Sequence, residues 1–119
     1  MKKDFLNDIY AFSKFVRQAR NLEQGLKVIG QMKKLGIKPN AVTFTSLIPL
    51  CKTLQEGFEI LEKMEKEGCQ ADIRTFMVLL KKVTSKKDIE AVEKERKEKK
   101  LKEGAIYKEY RDKLYNWHK

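Results

Sequence analysis

The chain has 119 residues, of which 37% are charged and 41% hydrophobic, and 27 Lys and Arg against 17 Asp and Glu give it a formal net charge of +10. This length allows one small domain or a short array of repeats, and no stretch approaches the ~20 apolar residues of a membrane-spanning helix. Two prolines and six glycines are few for an all-β sandwich, and two cysteines make no disulfide framework. The excess of basic residues suits a polyanionic partner.

Positive charge is concentrated at the two ends of the chain. Residues 1–40 hold nine basic and three acidic residues, residues 41–80 hold four and six, and residues 81–119 hold fourteen and eight. The N-terminal residues lack the apolar segment and small-residue cleavage site of a secretory signal, so we expect a protein that is not secreted. Asp4 and Asp8 are also unusual for a mitochondrial presequence, which avoids acidic residues.

The sequence repeats with a period of 32 residues. When residues 22–47 are aligned with residues 54–79, eight of the 26 positions are identical, whereas ordinary composition gives roughly one or two. The identical pairs are Leu22/Leu54, Gly25/Gly57, Met32/Met64, Lys34/Lys66, Gly36/Gly68, Thr43/Thr75, Phe44/Phe76 and Leu47/Leu79. The period predicts a single helical-repeat domain. Its expected parts, within residues 1–119, are repeats at about 9–40, 41–72 and 73–103 and a C-terminal capping helix at 104–119.

Each unit is predicted to form two helices. Its first helix carries apolar residues at places 4, 7, 8 and 11, which is the spacing of one core-facing side of an α-helix. These residues are Phe12, Phe15, Val16 and Ala19, then Phe44, Leu47, Ile48 and Cys51, then Phe76, Leu79, Leu80 and Val83. The second helices carry Leu22, Leu26, Ile29 and Met32, then Leu54, Phe58, Leu61 and Met64. The predicted fold class is all-α, an α-solenoid of stacked helix-turn-helix repeats.

Glycines and a proline mark the crossing points and ends of the predicted helices. Gly25 and Gly57 share one place inside the second helices, where a close crossing of two helices would justify the missing side chain. Each second helix is expected to end at a left-handed glycine, either Gly36 or Gly68. Pro49 is expected to kink or end the first helix of the second unit, because proline removes a backbone hydrogen bond.

The end of the chain is predicted to close the stack. The second helix of the third unit is very polar, with Ile89 and Val92 as its clear core candidates and i,i+4 ion pairs such as Glu93 with Lys97. The tail over residues 105–117 then carries apolar residues at helical spacing, namely Tyr107, Tyr110, Leu114 and Trp117. Because the last unit of a solenoid must cover exposed apolar surface, we expect this tail to be a capping helix. A third unit one residue shorter would align Tyr107 with the phenylalanines of the earlier units.

The stretches Met32–Cys51 and Met64–Leu80, with EGFEILEKMEKEG between them, resemble the pentatricopeptide-repeat family. Phe44 and Phe76 occupy the aromatic place of that family, although the units are shorter than is usual for it. The resemblance implies a helical solenoid of the pentatricopeptide or tetratricopeptide type that binds single-stranded RNA, with one base for each repeat. It also implies an organellar location, in mitochondria or plastids.

The resemblance further implies which residues read the bases. In the family, the fifth residue of the first helix and the last residue of the unit contact the base edge together. The corresponding pairs are Ser13 with Asn40, Thr45 with Asp72, and Met77 with Glu103. The first pair is similar to an adenine reader and the second to a guanine reader, which favours a 5′-AG-3′ step, while the third matches no reading pair.

Other residues of the first helices are expected to hold the remainder of the nucleotide. Val42 fits the family's aliphatic residue that wedges between neighbouring bases, Tyr10 is expected to stack in the same place, and Arg74 departs from the pattern. Basic residues opposite the apolar stripe are expected to line the concave surface and bind phosphates. They are Lys14, Arg17, Arg20, Lys52 and Lys81. A solvated charged face is the alternative for these five.

The reading residues also have a purely structural alternative. Asn40 and Asp72 directly precede predicted helices, where Asn and Asp are good N-caps whatever else they do. Ser13 and Thr45 are equally typical of solvent-facing positions on a helix.

The sequence offers no set of residues for catalytic, metal or cofactor chemistry. The only histidine, His118, lies one residue from the C-terminus, and neither cysteine belongs to a CxxC or Cys/His ligand set. Cys51 is on the predicted core stripe and is expected to be buried, whereas Cys69 is expected in a turn as an exposed thiol. No glycine-rich phosphate loop is present. We therefore expect no enzyme, no cofactor and no small-molecule substrate.

The predicted function is that of a small single-stranded RNA-binding protein that acts within a larger ribonucleoprotein assembly. Only two or three bases are met, and stacking contributes ~1–3 kcal/mol per base, so the protein needs a tether or neighbours to find its RNA or rRNA. One alternative is a structural component of an organellar ribosome or another large complex. A further alternative is a protein-binding helical-repeat adaptor without RNA contact. No membrane partner is expected.

Overall fold

A computed structural model describes the backbone of residues 5–118 and the side chains of residues 11–118. Its α-helices are α1 (Phe5–Gln18), α2 (Leu22–Lys34), α3 (Ala41–Thr45), α4 (Leu54–Lys66), α5 (Ile73–Leu80), α6 (Lys86–Glu98) and α7 (Ala105–Trp117). Between residues 5 and 118 there is no strand and no helix long and apolar enough to cross a membrane. The molecule is elongated, at 52 × 27 × 22 Å. The predicted all-α stack of helical repeats is confirmed.

The helices are arranged as successive pairs. The second helices α2, α4 and α6 each pack against the first helix of their own unit, which is α1, α3 or α5. The first helices also contact one another in order, and α7 follows α5 in the same way. Most of the core between the two sets is one cluster, which includes Phe44 and Phe76 with no exposed surface, while Met32 and Ile37 form a smaller cluster with Phe12. The predicted core residues Ile89 and Val92 of α6 are likewise buried.

The C-terminal ends of the second helices recur every 32 residues. Gly36 and Gly68 follow α2 and α4 with φ angles of 80° and 81°, the left-handed conformation predicted for them. The residue after each glycine donates its N–H to the carbonyl five residues earlier at 3.0 Å, which pairs an otherwise unsatisfied carbonyl. Lys100 takes the same place after α6, with a φ angle of 58°.

The N-terminal ends of the first helices keep the same spacing. Asn40 and Asp72 cap α3 and α5, each in a capping box with the threonine three residues on. Gly104 takes this place before α7, and it makes no side-chain cap. The spacing of helix ends therefore runs to Gly104, one residue beyond the expected end of the third unit. Tyr107 consequently lies in the place of the capping-box threonines and not in that of the phenylalanines.

Gly25 and Gly57 lie where the second helix of one unit meets the first helix of the next. A Cβ atom on Gly25 would lie 2.7 Å from Cδ2 of Leu47 and 2.8 Å from Cδ1 of Leu50. A Cβ atom on Gly57 would lie 2.9 Å from Cδ2 of Leu79. A close crossing is present as predicted, but it joins neighbouring units and not the two helices of one unit.

Phe15 departs from the predicted core stripe, because 54% of its surface is exposed. Its counterparts Leu47 and Leu79 pack on the glycine of the preceding second helix. Within the described part of the chain no second helix precedes α1, so Phe15 has no such surface to cover. Its ring instead meets that of Phe12 edge to face, with the ring centroids 6.0 Å apart.

Pro49 ends the first helix of the second unit early, as predicted. Helix α3 stops at Thr45, and a 3-10 turn over Ile48–Leu50 contains the proline. Carbonyl groups at this break are paired by Lys82, whose Nζ donates to the carbonyl of Pro49 at 2.9 Å and to that of Cys51 at 2.7 Å. The ammonium group of Lys82 thus stabilises the shortened helix.

A cluster of hydrogen bonds fastens α7 to α6. The carboxylate of Glu93 accepts from Nε of Arg96 at 2.9 Å and from the hydroxyl of Tyr107 at 2.7 Å. It also accepts from Nη1 of Arg111 at 2.7 Å. Burial raises the pKa of Glu93, but these three donors outweigh it and lower the pKa to about 2. Glu93 is therefore ionised at neutral pH and holds the last helix in place.

Helix α7 covers the stack with one side only. Tyr107 is buried and Tyr110 and Leu114 are half-buried against the core, as predicted for a capping helix. Trp117, by contrast, is 81% exposed, and Ile106 is 77% exposed. No described helix lies over this outer side of α7.

Candidate nucleic-acid interface

A chain of hydrogen bonds joins the second and third units at the exposed side of the first helices. The hydroxyl groups of Thr45 and Thr75 are 3.0 Å apart. Thr75 donates its hydroxyl to Oδ1 of Asp72 at 3.3 Å and its backbone N–H to the same oxygen at 3.1 Å. The second predicted reading pair, Thr45 with Asp72, is therefore brought together by one threonine.

The same arrangement occurs between the first and second units. The hydroxyl groups of Ser13 and Thr43 are 3.2 Å apart. Thr43 donates its hydroxyl and its backbone N–H to Oδ1 of Asn40, each at 3.0 Å. The structure thus places both predicted pairs in the same hydrogen-bonded arrangement. We call Ser13, Thr43 and Asn40 the first junction, and Thr45, Thr75 and Asp72 the second junction.

Sequence reasoning missed the two bridging threonines as site residues. Thr43 and Thr75 are fully buried, and each joins the fifth residue of one unit to the N-cap of the next helix. Their signal in the sequence is that both are identical under the 32-residue shift although they are polar and adjoin the core phenylalanines. A buried hydroxyl that recurs in this way indicates a required hydrogen bond.

The second junction presents two hydrogen-bond acceptors to a ligand. A hydroxyl oxygen carries two lone pairs, so Thr45 keeps at least one of them whichever threonine donates in the bond between the two hydroxyls. Thr45 therefore offers a lone pair. Asp72 offers Oδ2, which makes no hydrogen bond within residues 11–118. Two neighbouring acceptors match the N1–H and N2–H donors of guanine.

The first junction presents a donor. Because Oδ1 of Asn40 accepts a backbone N–H, the amide is fixed with Nδ2 free to donate, which suits the acceptor N1 of adenine. Ser13, in contrast to the half-buried Thr45, has no exposed surface, and its hydroxyl faces Thr43. The direct contact expected between Ser13 and a base therefore has no free surface in this structure, and Ser13 serves to hold Thr43 and Asn40 in place.

A groove of about 310 Å³ lies between α3 and α5 beside the second junction. Thr45 and Asp72 form part of its lining, Val42 supplies apolar surface, and Arg17 and Arg74 supply positive charge. Val42 is 42% exposed here, as a wedge between bases requires. The side chain of Tyr10, the other expected stacking residue, lies outside the described residues.

The residues expected to bind phosphates all lie on the surface. They are Lys14, Arg17, Arg20, Lys52 and Lys81, and each is exposed. Arg17 of α1 reaches the groove that contains Thr45 and Asp72. It is thus the best placed of the five to contact the backbone of a nucleotide in that groove.

The third predicted pair is not assembled as a junction. Oε2 of Glu103 forms an ion pair with Nη1 of Arg111 at 2.6 Å, and Gly104 occupies the place of Asn40 and Asp72. Met77, in the place of Thr45, offers no hydroxyl. Among the described residues, the hydrogen-bonded junction therefore occurs at the first two predicted pairs and not at the third.

The two cysteines are weak nucleophiles in this structure. Cys51 is buried as predicted, and burial followed by the charge of Glu56 raises its pKa to about 11. Cys69 was expected to be exposed, but it is half-buried. Its thiol donates to the carbonyl of Pro39 at 3.5 Å, and burial raises its pKa.

Residues 1–53 match the family model described as the pentatricopeptide repeat domain. This segment, which is a little under half of the chain, is thus similar to the pentatricopeptide repeat domain, in agreement with the resemblance seen in the sequence. The matched segment extends from the N-terminus through α3 and includes the whole Ser13–Thr43–Asn40 junction. Pentatricopeptide-repeat proteins are generally RNA-binding proteins without enzymatic activity, and they are often organellar. Comparisons with curated proteins and with solved structures give no match.

Proposed function

We propose that this protein binds single-stranded RNA along the exposed side of α1, α3 and α5. The observation that carries the proposal is the repeated junction, in which a buried threonine fixes the hydrogen-bonding group that each unit shows to solvent. The first junction shows the donor Nδ2 of Asn40, and the second shows two acceptors on Thr45 and Asp72. Nucleobases are the ligands whose edges differ in this donor and acceptor pattern.

In this proposal a guanine occupies the groove between α3 and α5. Its N1–H and N2–H donate to Thr45 and Asp72, and its faces lie against Val42 and Arg74. An adenine precedes it at Asn40, so the preferred step is 5′-AG-3′. Arg17 and the other exposed basic residues of the first helices contact the phosphates.

The protein acts within a larger ribonucleoprotein assembly, in an organelle. Two specific contacts of ~1–3 kcal/mol each give too little discrimination to find one transcript among many. Neighbouring proteins or a tether to rRNA would supply the remaining affinity. The net charge of +10 favours such a polyanionic environment.

Exchanging the two N-cap residues should exchange the base preferences. Asp72→Asn converts an acceptor into a fixed donor while it preserves the helix cap, so preference at the second base should move from guanine towards adenine by roughly tenfold or more. Asn40→Asp should move the first base in the opposite direction. Fluorescence anisotropy with RNAs that carry AG, AA, GG or GA measures both.

Asn21→Asp is the matched control for the first junction. Asn21 caps α2 by accepting a hydrogen bond from the backbone N–H of Gln24. Its replacement by Asp adds the same negative charge as Asn40→Asp, but away from the groove. It should leave both base preferences unchanged. The reading assignment is wrong if neither exchange moves the preference, or if Asn21→Asp moves it as much as Asn40→Asp.

Arg17→Gln should weaken binding to all RNAs equally. The loss of one phosphate contact lowers the slope of log affinity against log salt by roughly 0.7 for a single strand and leaves the AG preference intact. Lys63→Gln removes one charge from the exposed surface of α4 and serves as the control. Equal slopes for the two variants would show attraction by net charge alone.

A further inference from the structure

One side of helix α7 is apolar and uncovered. Four residues share this side because they are spaced by four, three and four places along the helix. They are Ile106, Tyr110, Lys113 and Trp117, which we call the α7 stripe. Ile106 is 77% exposed and Trp117 is 81% exposed, while Tyr110 is half-buried. No described helix lies over the stripe.

The surface beside the α7 stripe adds further apolar area. Met77 of α5 is half-buried and lines a groove of about 270 Å³ together with Ile106, Tyr110, Lys113 and Glu109 of α7. Trp117 extends the stripe to the last residue of the helix. Apolar residues that share one exposed side of a helix, in a chain that is 37% charged, indicate a surface that binds another molecule.

The α7 stripe is complementary to itself. Its spacing of four, three and four residues is the same in both directions, and it is the spacing of a coiled-coil seam. When a second copy of α7 lies antiparallel to the first, Ile106 meets Trp117 of the second copy. Tyr110 then meets Lys113 of the second copy, which suits a cation–π contact. Each contact is made twice, as two-fold symmetry requires.

Charge also favours a second copy at this side of α7. The net charge of +10 disfavours self-association in general, but Glu109 and Lys113 form an exposed ion pair at 3.2 Å beside the apolar residues. The two chains therefore meet where opposite charges cancel. In the antiparallel arrangement, Glu109 of each copy lies within one helical turn of Lys113 of the other, so opposite charges also face each other between the copies.

We propose that two copies of this chain associate through the α7 stripe as an antiparallel pair of α7 helices. Four residues from each copy are far fewer than the roughly 20–30 of a stable interface, so the dimer is weak and depends on protein concentration. Its formation does not depend on the proposed RNA binding. If each copy binds RNA at its two junctions, the dimer carries two such sites and gains affinity for an RNA that spans both.

Sedimentation velocity of the whole protein without RNA tests the dimer. The protein should change from monomer to dimer between roughly 1 μM and 1 mM, the range of a weak interface. Ile106→Lys places a charge in the apolar contact and should weaken association by roughly tenfold or more. Leu35→Lys is the matched control, because Leu35 is also an exposed aliphatic residue, at 69%, and lies at the end of α2. It should dimerise like the wild type, and circular dichroism confirms that both variants fold.

Charge reversals test the antiparallel arrangement. Glu109→Lys alone brings lysines of the two copies together and should weaken the dimer by roughly threefold or more. Adding Lys113→Glu restores opposite charges across the interface and should restore the dimer. Adding Lys63→Glu on α4 instead restores the same net charge away from the interface and should not.

Three results would overturn the proposal. They are a wild-type protein that stays monomeric at roughly 1 mM, an Ile106→Lys protein that dimerises as well as Leu35→Lys, and equal rescue of Glu109→Lys by the two added substitutions. A protein that dimerises as expected but shows no AG preference contradicts the reading junctions alone. A monomer that prefers AG contradicts the dimer alone.

Discussion

Glu93→Gln should destabilise the protein by about 3 kcal/mol at pH 7, as measured by urea unfolding with circular dichroism. The carboxylate of Glu93 pairs with Arg96 and Arg111, and all three side chains are largely buried. Removing one partner of a buried ion pair costs about 3–5 kcal/mol because a charge is left unpaired. The lower end applies because Arg111 keeps its ion pair with Glu103 at 2.6 Å.

Glu90→Gln is the matched control on the same helix. The carboxylate of Glu90 is exposed and accepts one hydrogen bond, from Tyr115 at 3.3 Å, so its replacement should change stability by less than ~0.5 kcal/mol. Equal effects of the two substitutions would show that the cluster does not fasten α7.

The effect of Glu93→Gln should also depend on pH in a defined direction. The pKa of Glu93 is lowered in the folded state from 4.5 to about 2. The unfolded chain therefore binds the proton more tightly, and the stabilisation is fully present above pH 4.5 and is lost as the pH falls towards 2. The stability difference between wild type and Glu93→Gln should shrink over that interval. A difference that is constant with pH would mean that the charge of Glu93 does not contribute.

Gly25→Val should destabilise the protein by about 3 kcal/mol, the second-largest effect expected here. Even the first carbon of the new side chain would lie under 3 Å from the methyl ends of Leu47 and Leu50, and Leu47 is fully buried among core residues. Overpacking of this kind costs about 1–3 kcal/mol, and valine adds two methyl groups beyond the contact.

Gly30→Val tests whether the loss of stability in Gly25→Val comes from the contact between units or from helix α2 itself. Gly30 lies in the same helix, and a Cβ atom there meets nothing within 4 Å. Valine is a better helix former than glycine, so this variant should be neutral or stabilised by a few tenths of a kcal/mol. Comparable losses at the two positions would place the cost in helix α2 itself and not in the contact between units.

Features set by local chemistry were predictable from the sequence. The left-handed ends at Gly36 and Gly68 and the early end of α3 at Pro49 depend on backbone properties of single residues. The 32-residue shift made the two glycine ends more informative, because both units had to satisfy it, whereas Pro49 has no counterpart in the other units. The family resemblance was drawn from the same shift.

Features that depend on distant contacts were not predictable. Glu93 was expected to pair with Lys97 one turn away, but Arg96 and the distant Arg111 hold it instead, since burial favours bidentate arginine partners. Phe15 is exposed because, within the described residues, no second helix precedes α1 to cover it. The difference between the buried Ser13 and its counterpart in the second unit likewise depends on tertiary packing, which identical spacing does not reveal.

Only a few residue types are suitable at the position that ends each unit. Because Asn40 and Asp72 both cap a helix, any residue placed there must first satisfy the cap. Asn, Asp, Ser, Thr and Gly do so, whereas other residues cost about 1 kcal/mol of folding stability. Helix capping therefore restricts which residue types this position can hold. In the proposed mode of RNA binding, the same restriction limits the bases that an array of such units can select. Gly104, at the same position before α7, starts a helix without any side-chain hydrogen-bonding group.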